Sequence, residues 1–276
     1  MQDVRSQEPF ATSNTADPRA RGHLVIIGGG ERPEPIMRRI VELAGGAQSD
    51  LVIFPMASEA PLAVAASQRA ELLALGAGRV DAVHCTREDA DDPANLMRLR
   101  SATGVFFSGG DQRKLTAALL GTRLLELVRA VYQRGGVLSG TSAGAAVMSR
   151  IMITGDEHPL DGPAVGGRYI HTASGFGFIE RAIIDQHFLK RGRHYRLNSL
   201  IARHPELLGI GIDEATAIVV SPDDTFTTLG DSDVLVFAAD RSTRVSETNE
   251  TADPRIDIAS LPAGKRFCLS RNQLLG

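Results

Sequence analysis

The chain has only two cysteines in 276 residues, Cys85 and Cys268, far apart and without a C-x-x-C partner. That excludes a disulfide framework and a zinc site, and both read as small buried hydrophobes. There is no H-x-x-x-H or Cys/His constellation, so no metal is expected. The formal net charge of -3 offers no positive field for a nucleic acid. No run approaches the roughly 18 apolar residues of a membrane span. Residues 1–22 are polar and hold no apolar core of a secretory signal. The expectation is a cytoplasmic protein, with a disordered polar tail over 1–21 and a single α/β domain over 22–276. Gly28-Gly29-Gly30 continues as Glu31-Arg32-Pro33, which is not G-x-G-x-x-G, and no acid stands in the right place after the second strand. This excludes a dinucleotide site, and no cofactor is expected.

What is present is a 43% hydrophobic chain, enough for one large core. Short apolar runs at 23–27, 50–55, 79–84, 104–107 and 136–139 read as buried strands. Helical spacing at 35–44, 60–75, 93–100 and in two segments of 114–134, broken near Gly121, separates them. Continuous apolar strands alternating with amphipathic helices predict a mostly parallel sheet covered on both faces. Residues 154–176, rich in Gly, Pro, Asp and His, read as long loops. Ile183-Ile184 leads into a polar cluster, and 197–203 reads as a helix. Strands at 208–212, 217–220, 225–229 and 234–237 predict an antiparallel extension of the sheet, followed by a polar loop over 240–256.

Gly140-Thr-Ser-Ala-Gly144 stands between the fifth strand and a small-residue run. It is a G-x-S-x-G nucleophile elbow in its strand–turn–helix setting, with Ser142 at the apex and both glycines leaving room for close packing. A structural turn is the alternative, and the flanking strand and small-residue run favour the nucleophile. A serine nucleophile needs a base, and the base needs an orienting acid. Among seven histidines, His187 follows an apolar strand in the cluster Asp185-Gln186-His187, where a strand should end. The residues leave the acid open between Asp213, Glu214, Asp185 and Asp156, and an Asp-Glu pair at a strand end is often only a hairpin turn. Gly109-Gly110, also at a strand end, and the N–H of Ala143 offer an oxyanion hole, or an ordinary glycine turn. Arg191, Arg193 and Arg196, with Lys190 beside them, suit a substrate rich in carboxylates, or form a solvated helix start.

Ser108-Gly-Gly-Asp-Gln112, the elbow at 140–145, Asp185-Gln-His187 with the arginines at 191, 193 and 196, and Gly211-Ile-Asp-Glu214 together resemble the cyanophycinase branch of the serine peptidase family that also contains peptidase E. The resemblance spans roughly residues 22–240. It implies a class I glutamine amidotransferase-like (flavodoxin-like) fold with Ser142 as nucleophile, His187 as base and Glu214 as acid. It implies an oxyanion hole at the N–H groups of Gly110 and Ala143, and substrate-binding positions at Gln112, Asp185, Gln186, Arg191, Arg193 and Arg196. The implied substrate is a poly-aspartate chain bearing arginine on each side-chain carboxyl. An isoaspartyl or α-aspartyl dipeptidase on the same scaffold is the alternative, and a homodimer is usual for the group. Further rivals are a generic α/β-hydrolase and a non-catalytic protein that binds an acidic ligand through its arginines. Residues 241–276 receive no role.

Overall fold

The computed structural model describes residues 22–159, 168–240 and 255–275; the expected tail over 1–21 and nearly all of the expected loop over 240–256 lie outside them. The first half alternates as the sequence predicts. The elements are β1 (His23–Ile27), α1 (Glu34–Ala44), β2 (Asp50–Phe54), α2 (Pro61–Ala74), β3 (Arg79–Ala82), α3 (Pro93–Arg100), β4 (Gly104–Phe107), α4 (Gln112–Leu119), α5 (Arg123–Gln133), β5 (Val137–Thr141) and α6 (Ala143–Ala146). Helix starts and stops track local chemistry. Asp111 and Thr122 cap α4 and α5 by accepting the N–H groups of Arg113 and Leu125. Pro35 sits in the first turn of α1, and Gly45 ends it in the left-handed conformation.

The strands β1, β5, β4, β2 and β3 lie side by side and parallel. Odd and even positions of β1 enter different cores. Leu24 and Ile26 join one side with Phe54, Phe107 and Leu138, while Val25 and Ile27 join the other with Ile36, Ile40 and Phe106. Both faces are therefore covered, as continuous apolar strands require.

The second half departs from the sequence expectation in two places. Residues 154–176 are not simply loops: β6 (Ile151–Pro159) and β7 (Arg168–Ser174) pair as an antiparallel ribbon, irregular between Ile153 and Glu157. The sequence of the ribbon lacks the sustained alternation that marks a half-buried strand. The later strands also divide. They are β8 (Ala182–Gln186), then, after α7 (His194–Arg203), β9 (Leu208–Ile212), β10 (Thr216–Val220), β11 (Thr225–Gly230), β12 (Val234–Ala239), β13 (Ile256–Leu261), β14 (Arg266–Cys268) and β15 (Gln273–Leu275). Only β10, β11, β14 and β15 extend the main sheet, antiparallel from the free edge of β1. A second sheet, ordered β13-β12-β9-β8, packs α7 against it, and its β8–β9 pair is parallel. The C-terminal residues, without a role in sequence, thus supply edge strands to both sheets.

Two registers bring strand ends to a common level. Ile27 pairs with Thr141, and Phe107 with Gly140, so β1, β5 and β4 end together. Gln186 pairs with Ile212, so β8 and β9 also end together. Ligands of open α/β sheets bind beyond such carboxyl ends.

Phe107 sits beneath this edge, its ring 5.4 Å from Phe176 and 5.5 Å from Phe54. Truncation there leaves a cavity among rings that cannot close over it. Phe107→Ala is expected to cost about 3–5 kcal/mol, read as a lower urea midpoint at unchanged slope. A loss under about 1 kcal/mol would show that this cluster does not anchor the sheet end.

Candidate active site

Three strand ends meet at one place. Ser142 links β5 to the single-turn α6 with φ 53° and ψ -109°, a conformation that costs free energy outside glycine. The elbow closes because its glycines have no side chains. A Cβ on Gly140 would lie 2.3 Å from the Gly144 carbonyl oxygen, and one on Gly144 would lie 2.1 Å from that of Phe107. α6 contributes its leading N–H groups more than a macrodipole, since it spans only four residues.

Ser142 Oγ stands 2.9 Å from His187 Nε2, and His187 Nδ1 stands 2.6 Å from Glu214 Oε1. An ionised carboxylate only accepts, so Nδ1 carries a proton and Nε2 is left to accept from the serine hydroxyl. The structure brings Ser142, His187 and Glu214 into one hydrogen-bonded line. Asp213 points elsewhere: its carboxylate accepts the backbone N–H of Lys190 at 2.8 Å and the hydroxyl of Ser232 at 2.9 Å. Asp185, 1% exposed, accepts the N–H of Gln186 at 3.0 Å and faces Arg196 Nε at 3.2 Å. Asp156 lies in β6 and its side chain is outside the described part.

The end of β1 holds all three groups. Ile27 O accepts the N–H of Ser142 at 3.0 Å, Gly28 O that of His187 at 2.7 Å, and Gly29 O that of Ala215, next to Glu214, at 3.0 Å. Gly29, at φ 104°, lies against the imidazole face, where a Cβ would stand 2.4 Å from His187 Cε1. In sequence this glycine triplet reads only as a turn after β1. It fails as a nucleotide loop, and nothing local marks it as the wall of a site.

Gly109 lies against Ser142, and Gly110 comes next at φ 135° on the same loop. This loop and the head of α6 flank the serine. Gln112 opens α4, is buried, and donates to Ile153 O at 2.8 Å, tying α4 to β6. An open groove of about 410 Å³ runs past Ala57, Gly110, Gln112 and Gly155.

The basic cluster splits by depth. Arg191 is exposed. Arg193 donates to the Gln186 carbonyl at 2.5 Å and to its side-chain oxygen at 2.7 Å, with Asp185 Oδ1 3.7 Å away. Arg196 faces inward, 1% exposed, and its Nε stands 3.2 Å from Asp185 Oδ2. Asp185 and Arg196 form a buried pair behind Gln186 and Arg193, so the three arginines do not present one surface. The helical position of Arg196 among Leu197, Leu200 and Ile201 is the signal that it turns inward.

Burial holds the His187 imidazole below its ordinary pKa of 6.5, with Arg191 and Arg193 pushing the same way and Glu214 opposing them. The ring is therefore neutral at neutral pH, ready to accept a proton.

A serine on a strained turn, joined through a neutral imidazole to a carboxylate at the open end of a mostly parallel sheet, defines a class, the serine hydrolases. The sequence matches peptidase family S51 over residues 24–228. It is 32% identical over 262 residues to the cyanophycinase of Trichormus variabilis, covering 91% of this chain and 87% of that protein. It is 34% identical over 234 residues to the cyanophycinase of Thermosynechococcus vestitus, covering 83% and 72%. A crystal structure of a peptidase from an acI-B1 Actinobacterium superposes with a TM-score of 0.62 at 25% identity, covering 91% of this chain and 98% of that one. A putative peptidase E from Listeria monocytogenes shares the fold, with a TM-score of 0.55 at 17% identity over 77% of this chain and all of that one. The chain belongs to peptidase family S51 and is a serine peptidase.

Among the described residues no group of His, Cys, Asp and Glu is arranged to hold a metal ion, and no helix is long and apolar enough to cross a membrane. Both cysteines are buried, and burial pushes the Cys85 thiol up to about 11.

The imidazole generates a direct prediction. His187 is expected to titrate below 6.5 by NMR, and Glu214→Gln to lower it further, because Glu214 is the contact that favours the cation. A value at or above 6.5 in the wild-type protein would contradict the burial argument.

Proposed function

We propose that this protein hydrolyses cyanophycin, releasing β-Asp-Arg dipeptides, through Ser142, His187 and Glu214. The observation that carries the reading is the hydrogen-bonded line from Ser142 Oγ through His187 to Glu214, in a chain 32% identical to a cyanophycinase along most of its length. His187 takes the Ser142 proton as Oγ attacks the peptide carbonyl. The N–H groups of Gly110 and Ala143 hold the tetrahedral oxyanion. His187 then gives its proton to the leaving amine, and a water, deprotonated by the same ring, releases the acyl group and restores Ser142. Glu214 fixes the tautomer and stabilises the imidazolium.

Arg191 and Arg193 are the forks for the α-carboxylate and backbone of the β-linked aspartyl unit. Gln112 and Gln186 line the approach to them, and Asp185 and Arg196 serve binding from behind by setting Gln186 and Arg193. Binding of an acidic group would offset the two charges that press His187 toward neutrality, so substrate strengthens the base it will use. The reading takes in a homodimer in the cytoplasm, and sedimentation of the purified protein reports the first of these.

The test is incubation with insoluble cyanophycin and mass spectrometry of the soluble products. Ser142→Ala is expected to lose roughly ten-thousand-fold or more in turnover with its melting temperature kept. Near-normal release by that variant would overturn the mechanism. No release by wild type, with Ser142 still taking a phosphonyl label, would overturn the substrate and favour short aspartyl or isoaspartyl peptides.

A further inference from the structure

We propose that Asp213 is a positioning residue, clamping the loop that carries His187 to the loop that carries Glu214. The proposal rests on the Ser142–His187–Glu214 reading and assigns no chemistry to Asp213 itself.

β8 ends at Gln186, so residues 187–190 lie beyond the sheet ladder and need other anchors. Gly28 O takes the N–H of His187 at 2.7 Å, and Ile212 O takes that of Phe188 at 3.3 Å. Asp213 Oδ1 takes that of Lys190 at 2.8 Å, where the turn closes through Arg191 N–H to His187 O at 3.0 Å. An ionised acceptor makes this the strongest of the three by chemistry.

The second carboxylate oxygen reaches a third loop. Ser232 donates its hydroxyl to Asp213 Oδ2 at 2.9 Å and its N–H to Thr216 Oγ1 at 3.0 Å. Thr216, fully buried, donates its own hydroxyl to the Glu214 carbonyl at 3.0 Å. The circuit closes on itself: Asp213, Ser232, Thr216, Glu214 and back along the chain. It fixes the backbone on both sides of a ring that must meet Ser142 at 2.9 Å and Glu214 at 2.6 Å. Gly211-Ile-Asp-Glu214 thus holds two acids with different tasks, one on the imidazole and one on the loops around it.

The test reads the serine without needing a substrate. A fluorophosphonate transfers its phosphorus to Ser142 Oγ as fluoride leaves and His187 takes the proton, and its rate is measured against pH. Asp213→Ala is expected to slow labelling on the order of tenfold to a hundredfold, as displacement of a reacting group does. Its acid limb is expected to move to lower pH. A loosened Glu214 no longer favours the cation, while Arg191 and Arg193 still oppose it. Asp213→Asn keeps an acceptor for Lys190 N–H and is expected to regain most of the rate. A folded Asp213→Ala with wild-type rate and acid limb overturns the proposal. If that variant does not fold, Ser232→Ala decides: a smaller slowing with the same movement of the limb supports the clamp, and wild-type behaviour overturns it. Absence of labelling in the wild-type protein would instead overturn the reading of Ser142.

Discussion

Three successive carbonyls at the end of β1, those of Ile27, Gly28 and Gly29, receive the N–H groups of Ser142, His187 and Ala215. Each partner lies on a different stretch of chain, and each adopts positive φ, between 50° and 54°. A left-handed conformation at a serine, a histidine and an alanine is unfavourable and persists only where the surroundings determine it. Here one strand end supplies that determination for all three. The central strand therefore does more than pair with β5 and β10. It sets the height at which the loops of Ser142, His187 and Glu214 arrive. The bare faces of Gly29 and its neighbours let those loops come close enough for side chains to bond.

Behind the loops stands an ion pair, Asp185 with Arg196, each 1% exposed. Taking both charges out of water costs several kcal/mol per ion before their attraction repays it. Such a pair is poor evidence of stability but a strong constraint on geometry, because neither partner can leave without stranding the other. It lies directly beneath Gln186 and Arg193, so the Arg193 guanidinium is oriented from below. Arg191, by contrast, is exposed on the surface.

Much of the scaffold was legible in the sequence because it is built from complete periods. Apolar runs such as Leu51–Phe54 and Val105–Phe107 suit strands buried on two faces, and α1 shows its inner face as Ile36, Ile40 and Val41. The elbow was legible because two glycines at fixed spacing bracket a serine after a strand. What was not legible depends on contacts distant in the chain. Asp213 and Glu214 are neighbours of like charge, and the residues by themselves do not separate them; the resemblance implies Glu214, whose carboxylate stands 2.6 Å from His187 Nδ1. The pairing of β6 with β7 needs no hydrophobic alternation and left none to read. The division of the later strands between two sheets was equally hidden, since β9, β10 and β12 carry the same apolar signature and differ only in partner.

β1 is made first, yet two of its three carbonyls wait for donors that come after β8 and β9, and its free edge waits for β10. Ser142 emerges with its elbow already specified locally. It gains an imidazole only when the chain beyond Gln186 has folded back, and a carboxylate only when the antiparallel strand starting at Thr216 has docked. Closing such long intervals is slow compared with forming a helix or a hairpin. A growing chain thus carries Ser142 without its hydrogen-bonded partners until the residues through β10 have been added, the imidazole arriving before the carboxylate.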